Sequence, residues 1–312
     1  MFAAGPLATV STRRRRTARL AYRPSIRPMT YPNAISKPAA SPTILLIGGS
    51  DSSGGAGLQA DLRVLSSYQL AGACVVTAAT AQNTGTLVAV QPLSAKQVLT
   101  QLDAVLDDLT IHAVKVGMLA SPAIVRAVAG RLRQLRVPIV LDPVLTASVG
   151  GALLAPAARQ LMLDHLLPLA TVFTPNLPEV GTLLGLPVSS LSQRRTALRC
   201  LTDLGGHWVL IKGGHGTGKR LLDLFGTRSQ TFQLTATRLP IATHGTGCTY
   251  ASAIAAELAL GSTPQHAIAC GHAYLQAALR QPLILGKPAV YCPGFPVAIN
   301  AESRHWRGLN AV

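Results

Sequence analysis

The chain has 312 residues, enough for one large α/β domain or two small ones. Hydrophobic residues make up 48% of it but aromatics only 4%, and mean hydropathy is +0.34, so an ample core must be built mainly from Ala, Leu and Val. No apolar run is long enough to span a bilayer as a helix. Cys74, Cys200, Cys248, Cys270 and Cys292 form no C-x-x-C pair, which argues for thiols in a reducing compartment and against zinc or a disulfide framework.

The net charge of +16 is unevenly spread. Residues 1–40 hold Arg13, Arg14, Arg15, Arg16, Arg19, Arg23, Arg27 and Lys37 with no acid, in a Pro- and Ser-rich context, and the first acidic residue is Asp51. Three readings compete: a transit segment, a basic arm for nucleic acid, or an unstructured extension ahead of a later start at Met29. No aromatics interleave the charges as in a single-strand binder. The expectation is a disordered basic tail over 1–40, a domain over 41–286 and a C-terminal tail over 287–312. The location is expected to be cytoplasmic, or organellar if the tail is a transit segment.

From Ser41 onward the pattern is regular. Thr43–Ile47 is a short apolar run ending in glycines and predicts a buried strand. Gly57–Tyr68 has helical spacing through Leu58, Leu62 and Leu65. Cys74–Thr80 reads as a strand, Ala95–Leu109 as a helix with Val98, Leu102, Val105 and Leu106 on one face, and His112–Gly117 as a strand. Pro122–Leu135 is a helix with proline in its first turn. Val137–Val144 is a strand, Pro156–Leu167 a helix and Ala170–Phe173 a strand. A helix starts near Pro178 and another covers Arg194–Leu204. Trp208–Ile211 is a strand, and Leu221–Phe225 and Thr231–Leu239 look like a hairpin. Helices Cys248–Leu260 and Pro264–Arg280 follow. Strands alternating with helices predict an α/β fold with a mostly parallel sheet covered on both faces. There is no internal repeat.

In such sheets ligands bind beyond the carboxyl ends of the strands, where the polar and glycine-rich segments fall. Gly48 to Gly57 follows the first strand and Gln82-Asn83-Thr84 the second. Lys115-Val116-Gly117-Met118 closes the third and Asp142-Pro143 the fourth. Thr174-Pro175-Asn176-Leu177-Pro178-Glu179 ends the fifth and Lys212-Gly213-Gly214 the sixth. Each alone could be an ordinary turn; six at matching ends are harder to dismiss.

His244-Gly245-Thr246-Gly247-Cys248-Thr249 is a glycine turn feeding a helix. Unpaired N–H groups and the helix dipole make such a turn an anion cradle, and the dipole is expected to lower the thiol pKa of Cys248 so that it can take a proton. The competing reading is a glycine turn with a buried cysteine. Asp142 and Glu179 suit Mg²⁺, directly or through water, but each could be a helix cap or surface charge. Lys212 suits a phosphate. Gln82 and Asp51 could pair with a polar heterocycle or satisfy local backbone. Gly213 to Lys219 fails as a P-loop because Arg220 stands where Ser or Thr is required. His215 and His244, as lone loop histidines, read as structural.

Taken in order, Gly48 to Gly57 with Gln59-Ala60-Asp61, Ala81-Gln82-Asn83-Thr84, Lys115 to Leu119, Leu141-Asp142-Pro143-Val144, Thr174 to Glu179, Lys212 to His215 and His244 to Thr249 resemble the hydroxymethylpyrimidine/phosphomethylpyrimidine kinases of the ribokinase superfamily, over about residues 43–286. The resemblance implies a ribokinase-like fold, ATP and Mg²⁺, and successive phosphorylation of a pyrimidine alcohol and its monophosphate for thiamine biosynthesis. It implies that Gly49, Asp51, Ala56, Gln82 and Met118 line the pyrimidine pocket, and that Asn176, Lys212 and Thr243 meet ATP phosphates. It also implies that Asp142 and Glu179 organise magnesium, that Gly245 to Cys248 form the anion hole, and that Cys248 sits near the acceptor hydroxyl. The partners implied are the pyrimidine and ATP, without nucleic acid or membrane; a homodimer is left open. The loop Leu145-Thr146-Ala147-Ser148-Val149-Gly150 and the stretch after Leu285-Gly286 depart from the family pattern. Two alternatives stay open: a pyridoxal or dual-substrate kinase, separable by a side-by-side substrate assay, and a pyrimidine-binding regulatory module, which would need no phosphate apparatus.

Overall fold

The structure, a computed structural model, describes residues 41–216, 218–287 and 289–295 and the backbone of 310–311. The three readings of residues 1–40 lie outside the described residues. The first half runs β1 (Thr43–Asp51), α1 (Gly57–Ser67), β2 (Ala71–Gln82), β3 (Leu87–Pro92), α2 (Ala95–Asp108), β4 (Ile111–Val116), α3 (Pro122–Leu132), β5 (Ile139–Leu141) and α4 (Pro156–His165). Next come β6 (Val172–Phe173), α5 (Leu177–Leu184), α6 (Leu191–Asp203), β7 (Trp208–Ile211), β8 (Arg220–Gly226) and β9 (Thr231–Thr237). Helices α7 (Thr246–Ala259) and α8 (Pro264–Arg280), strands β10 (Leu283–Leu285) and β11 (Val290–Cys292), and the short β12 (Asn310–Ala311) complete the order.

The main sheet runs β12-β9-β8-β7-β6-β5-β4-β1-β2-β3. Its centre, β7 through β2, is parallel, while β3, β8, β9 and β12 pair antiparallel at the edges. Successive strand residues alternate between two cores. Leu45 and Ile47 face the core made with α2 to α6, and Ile44 and Leu46 face the one made with α1, α7 and α8. Burial on both faces is why the strands read as continuous apolar runs. Beside β1 the strand order reverses, which opens a crevice at its carboxyl end.

Capping sets several helix starts. Ser94 with Gln97 and Ser190 with Gln193 form reciprocal capping boxes. The second starts α6 three residues before the predicted Arg194, a signal legible in the sequence. On α1 the predicted inward Leu62 is 41% exposed, and Asp61 is buried beside Leu58, Val64 and Leu65. Beyond residue 286, where the domain was expected to end, β11 pairs with β10. Tyr291 also exchanges backbone bonds with the glycine turn, accepting from His244 N at 3.1 Å and donating to Ala242 O at 3.0 Å.

Candidate active site

A cavity of about 490 Å³ lies along the carboxyl ends of the parallel strands. Gly49, Asp51, Ala56, Gln82, Met118, Asp142, Asn176, Glu179, Lys212, Thr243, Gly245, Gly247 and Cys248 all line it, so the fold brings together the residues assigned a candidate site role from the sequence, while their neighbours Asn83, Thr84 and Gly213 stay outside the lining. The Gly49 position is tight: a Cβ there would lie 2.7 Å from Met118 Sδ, so Met118 lies directly against the β1 backbone.

The loop after β1 and the glycine turn before α7 form one structure. Gly245 has φ +77°, and a Cβ on it would come 2.0 Å from the Gly55 carbonyl oxygen. Only glycine fits that left-handed, closely packed position. The contact seats the start of α7 against the loop after β1, and Thr246, Gly247 and Cys248 line the cavity. Asp51 locks the two loops. One carboxylate oxygen accepts from Ser53 N at 2.9 Å and Ser53 Oγ at 2.8 Å, and the other from Ala56 N at 2.8 Å. His244 Nε2 lies 2.9 Å from that second oxygen. Burial would raise the Asp51 pKa, but the bonds from His244, Ser53 and Ala56 outweigh it and hold the carboxyl at about 2. Stability from this lock is therefore present above pH about 4 and lost as pH falls towards 2. In circular-dichroism acid titrations, Asp51→Asn is expected to lose that part of the acid transition; an unchanged acid limb would refute the lock.

Gln82 Nε2 lies 3.1 Å from His244 Nε2. The Asp51 carboxylate only accepts, so His244 Nε2 carries the hydrogen. That one hydrogen is shared with Gln82 only when the amide is turned so that its oxygen faces the imidazole, which leaves its NH₂ for the cavity. Gln82 thus both joins the lock and retains a hydrogen-bonding edge. The structural reading of His244 holds, since its ring ties residues far apart in sequence.

Three charged side chains lie below the turn. Lys212 Nζ donates to Asp142 Oδ1 at 2.6 Å, and Thr174 Oγ1 donates to the same oxygen at 3.0 Å. A Cβ on Gly247 would sit 3.2 Å from Lys212 Nζ and 3.5 Å from Asp142 Oδ2, which places the pair directly beneath the glycine turn. Burial would lower the Lys212 pKa, but the Asp142 and Glu179 carboxylates raise it, so the ammonium stays charged. Glu179 is shifted upward, first by burial and then by Asp142, against the opposing pull of Lys212. Glu179 also closes the capping box of α5: its Oε2 accepts from Asn176 N at 2.7 Å, and Asn176 Oδ1 accepts from Glu179 N at 2.9 Å. Of the readings of Glu179, the helix cap is what the structure shows, on a carboxylate that also lines the cavity and is buried rather than a surface charge.

The expected lowering of the Cys248 pKa is overturned. Helix α7 begins at Thr246, so Cys248 is already inside its first turn. Burial pushes the thiol up to about 11, helped by Asp61 and Asp142, although Lys115 and the Gly57 N–H pull the other way. Desolvation of a thiolate outweighs the dipole here. With iodoacetamide near pH 7, Cys248 is expected to label more slowly than Cys200 on α6, and its rate should climb with pH until about 11. Faster labelling of Cys248 at pH 7, followed by peptide mass spectrometry, would restore the thiolate reading.

Two buried groups near the site carried no assignment from the sequence. Lys115 Nζ donates to Asp61 Oδ1 and Oδ2 at 2.9 and 2.8 Å, and Ser252 Oγ on α7 donates to Asp61 Oδ1 at 2.8 Å. Burial would lower Lys115, but Asp61, with Cys248 and Asp142 behind it, holds it above the ordinary lysine range. The signal was a lysine inside an apolar strand and an aspartate on the helix face of Leu58 and Leu65. Asp223 accepts from Gly213 N at 2.7 Å and pairs with His272 Nδ1 at 2.9 Å, fixing the backbone just after Lys212.

Residues 51–292 match the family model described as phosphomethylpyrimidine kinase. The hydroxymethylpyrimidine/phosphomethylpyrimidine kinase of Synechococcus elongatus is 43% identical over 249 residues, covering 79% of this chain and 94% of that one. The Bacillus subtilis protein of the same name is 36% identical over 245 residues, covering 78% and 90%. Among solved structures, the Clostridium difficile phosphomethylpyrimidine kinase superposes with TM-score 0.67 at 35% identity, covering 75% of this chain and 98% of that one. A Staphylococcus aureus pyridoxal kinase in complex with AMP-PCP and pyridoxal superposes with TM-score 0.77 at 30% identity, covering 88% and 100%. These likenesses agree with the α/β, ribokinase-like architecture, and the chain belongs to the phosphomethylpyrimidine kinase family.

Proposed function

We propose that the chain transfers the γ-phosphoryl group of ATP to the hydroxymethyl oxygen of 4-amino-5-hydroxymethyl-2-methylpyrimidine, and then a second one to the phosphate of the monophosphate, for thiamine biosynthesis. The observation that carries this reading is the placement of Lys212, Asp142 and Glu179 beneath the α7 glycine turn, in the same cavity as Gly49, Gln82 and Met118. A pyrimidine-binding sensor would have no use for that charged group. The hydroxyl oxygen bonds to the γ-phosphorus while the bond from that phosphorus to the ADP oxygen breaks. Such a loose transition state asks the protein mainly for positioning and charge neutralisation.

The N–H groups of residues 246–248 would receive the charge that develops on the transferring group, with Lys212, Asn176 and Thr243 on the ATP phosphates. Asp142 and Glu179 would hold Mg²⁺, directly or through water. Two buried carboxylates, Asp142 and Glu179, stand near the single ammonium of Lys212, and their oxygens suit a hard cation. When bound, the ion neutralises phosphate charge. Cys248 is neutral in the free protein, so it is assigned to positioning the acceptor hydroxyl rather than standing by as a preformed thiolate. The hydroxyl proton leaves late, with the transferring phosphoryl group. A cytoplasmic location is part of the same proposal; no described helix is long and apolar enough to cross a membrane.

The test is ADP release with product mass spectrometry, supplying the hydroxymethylpyrimidine and pyridoxal side by side. Turnover of the pyrimidine with the higher kcat/KM is expected; turnover of pyridoxal alone, or binding without turnover, would overturn the assignment. Gln82→Leu should raise the pyrimidine KM by about 10- to 100-fold while leaving that for ATP in place, because a buried ring donor or acceptor left unpaired costs about 1–3 kcal/mol. An unchanged pyrimidine KM would move Gln82 out of the pocket.

A further inference from the structure

A second cluster of ligand-type side chains lies outside the cavity, where α7 meets α8. His266 and Cys270 stand four residues apart on α8, on one face of the helix, and Glu257 comes from the last turn of α7. One ligand atom from each of Glu257, His266 and Cys270 lies within 4.8 Å of the other two, and Cys270 Sγ is 3.3 Å from His266 Nε2. None of the three lines the cavity of the candidate active site.

Glu257 is the informative member. It is only 1% exposed, and no lysine or arginine pairs with it among the described residues. Its Oε2 accepts from Ser262 Oγ at 2.9 Å. Its Oε1 is buried, and among the described residues the only donor set towards Glu257 there is the equally buried Tyr68 hydroxyl at the end of α1, in a contact too poorly aligned to count as a full hydrogen bond. A buried carboxylate with no pairing cation is costly, and a cation at that oxygen would remove the cost. The neighbouring donors specify which kind. One sulfur, one imidazole nitrogen and one carboxylate oxygen favour Zn²⁺ or a similar transition ion over Mg²⁺.

We propose that Glu257, His266 and Cys270 bind a single Zn²⁺-class ion, with Tyr68 Oη or water as the fourth ligand, joining the end of α7 to the start of α8. One thiolate and one carboxylate balance the divalent charge, so the buried unit is neutral. On binding, the Cys270 S–H bond breaks, the sulfur pair goes to the metal and the proton goes to solvent. The half-buried His266 gives the ion its way in. The cysteine spacing argued against zinc because a site built from one cysteine and a glutamate on another helix has no sequence signature; the α7–α8 packing creates it.

The probe is Co²⁺ added to the purified, chelator-treated full chain without nucleotide or pyrimidine. One ion per chain is expected, with tetrahedral visible bands, a thiolate-to-cobalt charge-transfer band in the near ultraviolet, and no competition from excess Mg²⁺. Cys270→Ser should abolish the charge-transfer band, and both it and His266→Gln should weaken binding by at least about 100-fold, beyond the roughly 10- to 100-fold typical of losing a supporting contact. Cys200→Ser should leave the spectrum unchanged. Because His266 is half-buried, His266→Gln should keep the wild-type circular dichroism, so its loss of binding is not a loss of fold. Co²⁺ should raise the melting temperature of the wild type and not of the two ligand variants. Absence of stoichiometric binding, an octahedral spectrum displaced by Mg²⁺, or a charge-transfer band that survives in Cys270→Ser would each overturn the site.

Discussion

Lys212→Ala is expected to lower kcat by about 10²–10³, the range for removing one preorganised charge or donor from a developing oxyanion, while the pyrimidine dissociation constant changes little. Lys212 reaches Asp142 beneath the glycine turn and is held charged by Asp142 and Glu179, so in the proposed mechanism its positive charge serves the phosphates rather than the ring pocket at Gly49 and Met118. The substitution also strands a buried carboxylate. Breaking a buried pair by removing one partner costs about 3–5 kcal/mol, so a lower melting temperature is expected too. The two effects separate by experiment: steady-state kinetics below the melting range report turnover, and calorimetry with the pyrimidine reports binding. Lost pyrimidine affinity with unchanged kcat would reject the placement of Lys212 at the phosphates.

Gly245→Ala is expected to be at least as damaging. Its left-handed backbone costs an L-residue roughly 1–2 kcal/mol. The larger effect is the new Cβ, 2.0 Å from the Gly55 carbonyl oxygen. That obstacle is backbone and cannot swing aside, so the turn must shift and carry the N–H groups of residues 246–248 with it. A displacement of about 1 Å at a reacting centre can cost about 10²-fold, and a similar or larger fall in kcat should follow. Gly261→Ala is the control. Gly261 is also left-handed, φ +87°, but nothing lies within 4 Å of its Cβ position, so it should lose stability and keep kcat. If Gly245→Ala keeps kcat as Gly261→Ala does, the glycine turn is not the anion cradle.

The amino-acid sequence by itself determined the alternation of the central strands and helices, though not β3, β10, β11 or β12, the parallel α/β class and the ends of the strands at which polar segments collect. Those features rest on short-range physics. The apolar runs of β1 and β7 follow from burial on both faces, proline and serine caps begin α3 and α6, and glycines mark the turns after β1 and before α7. Strand ends that share a crevice then converge by topology; that the glycine turn at Cys248 joins Gly49 there was implied by the family resemblance rather than by strand order.

The tertiary structure alone decided the protonation and pairing. The helix dipole at Cys248 was legible, but the depth of burial that overrides it was not, because desolvation depends on what packs around the thiol. Asp61 displaced Leu62 from the inward face of α1 because Lys115 and Ser252 wait there from β4 and α7. The lock between Asp51 and His244 spans 193 residues, and the pairing of β11 with β10 was hidden by a strand of three residues. In each case the energy lies in contacts between segments remote in the chain, which local periodicity and turn chemistry do not encode.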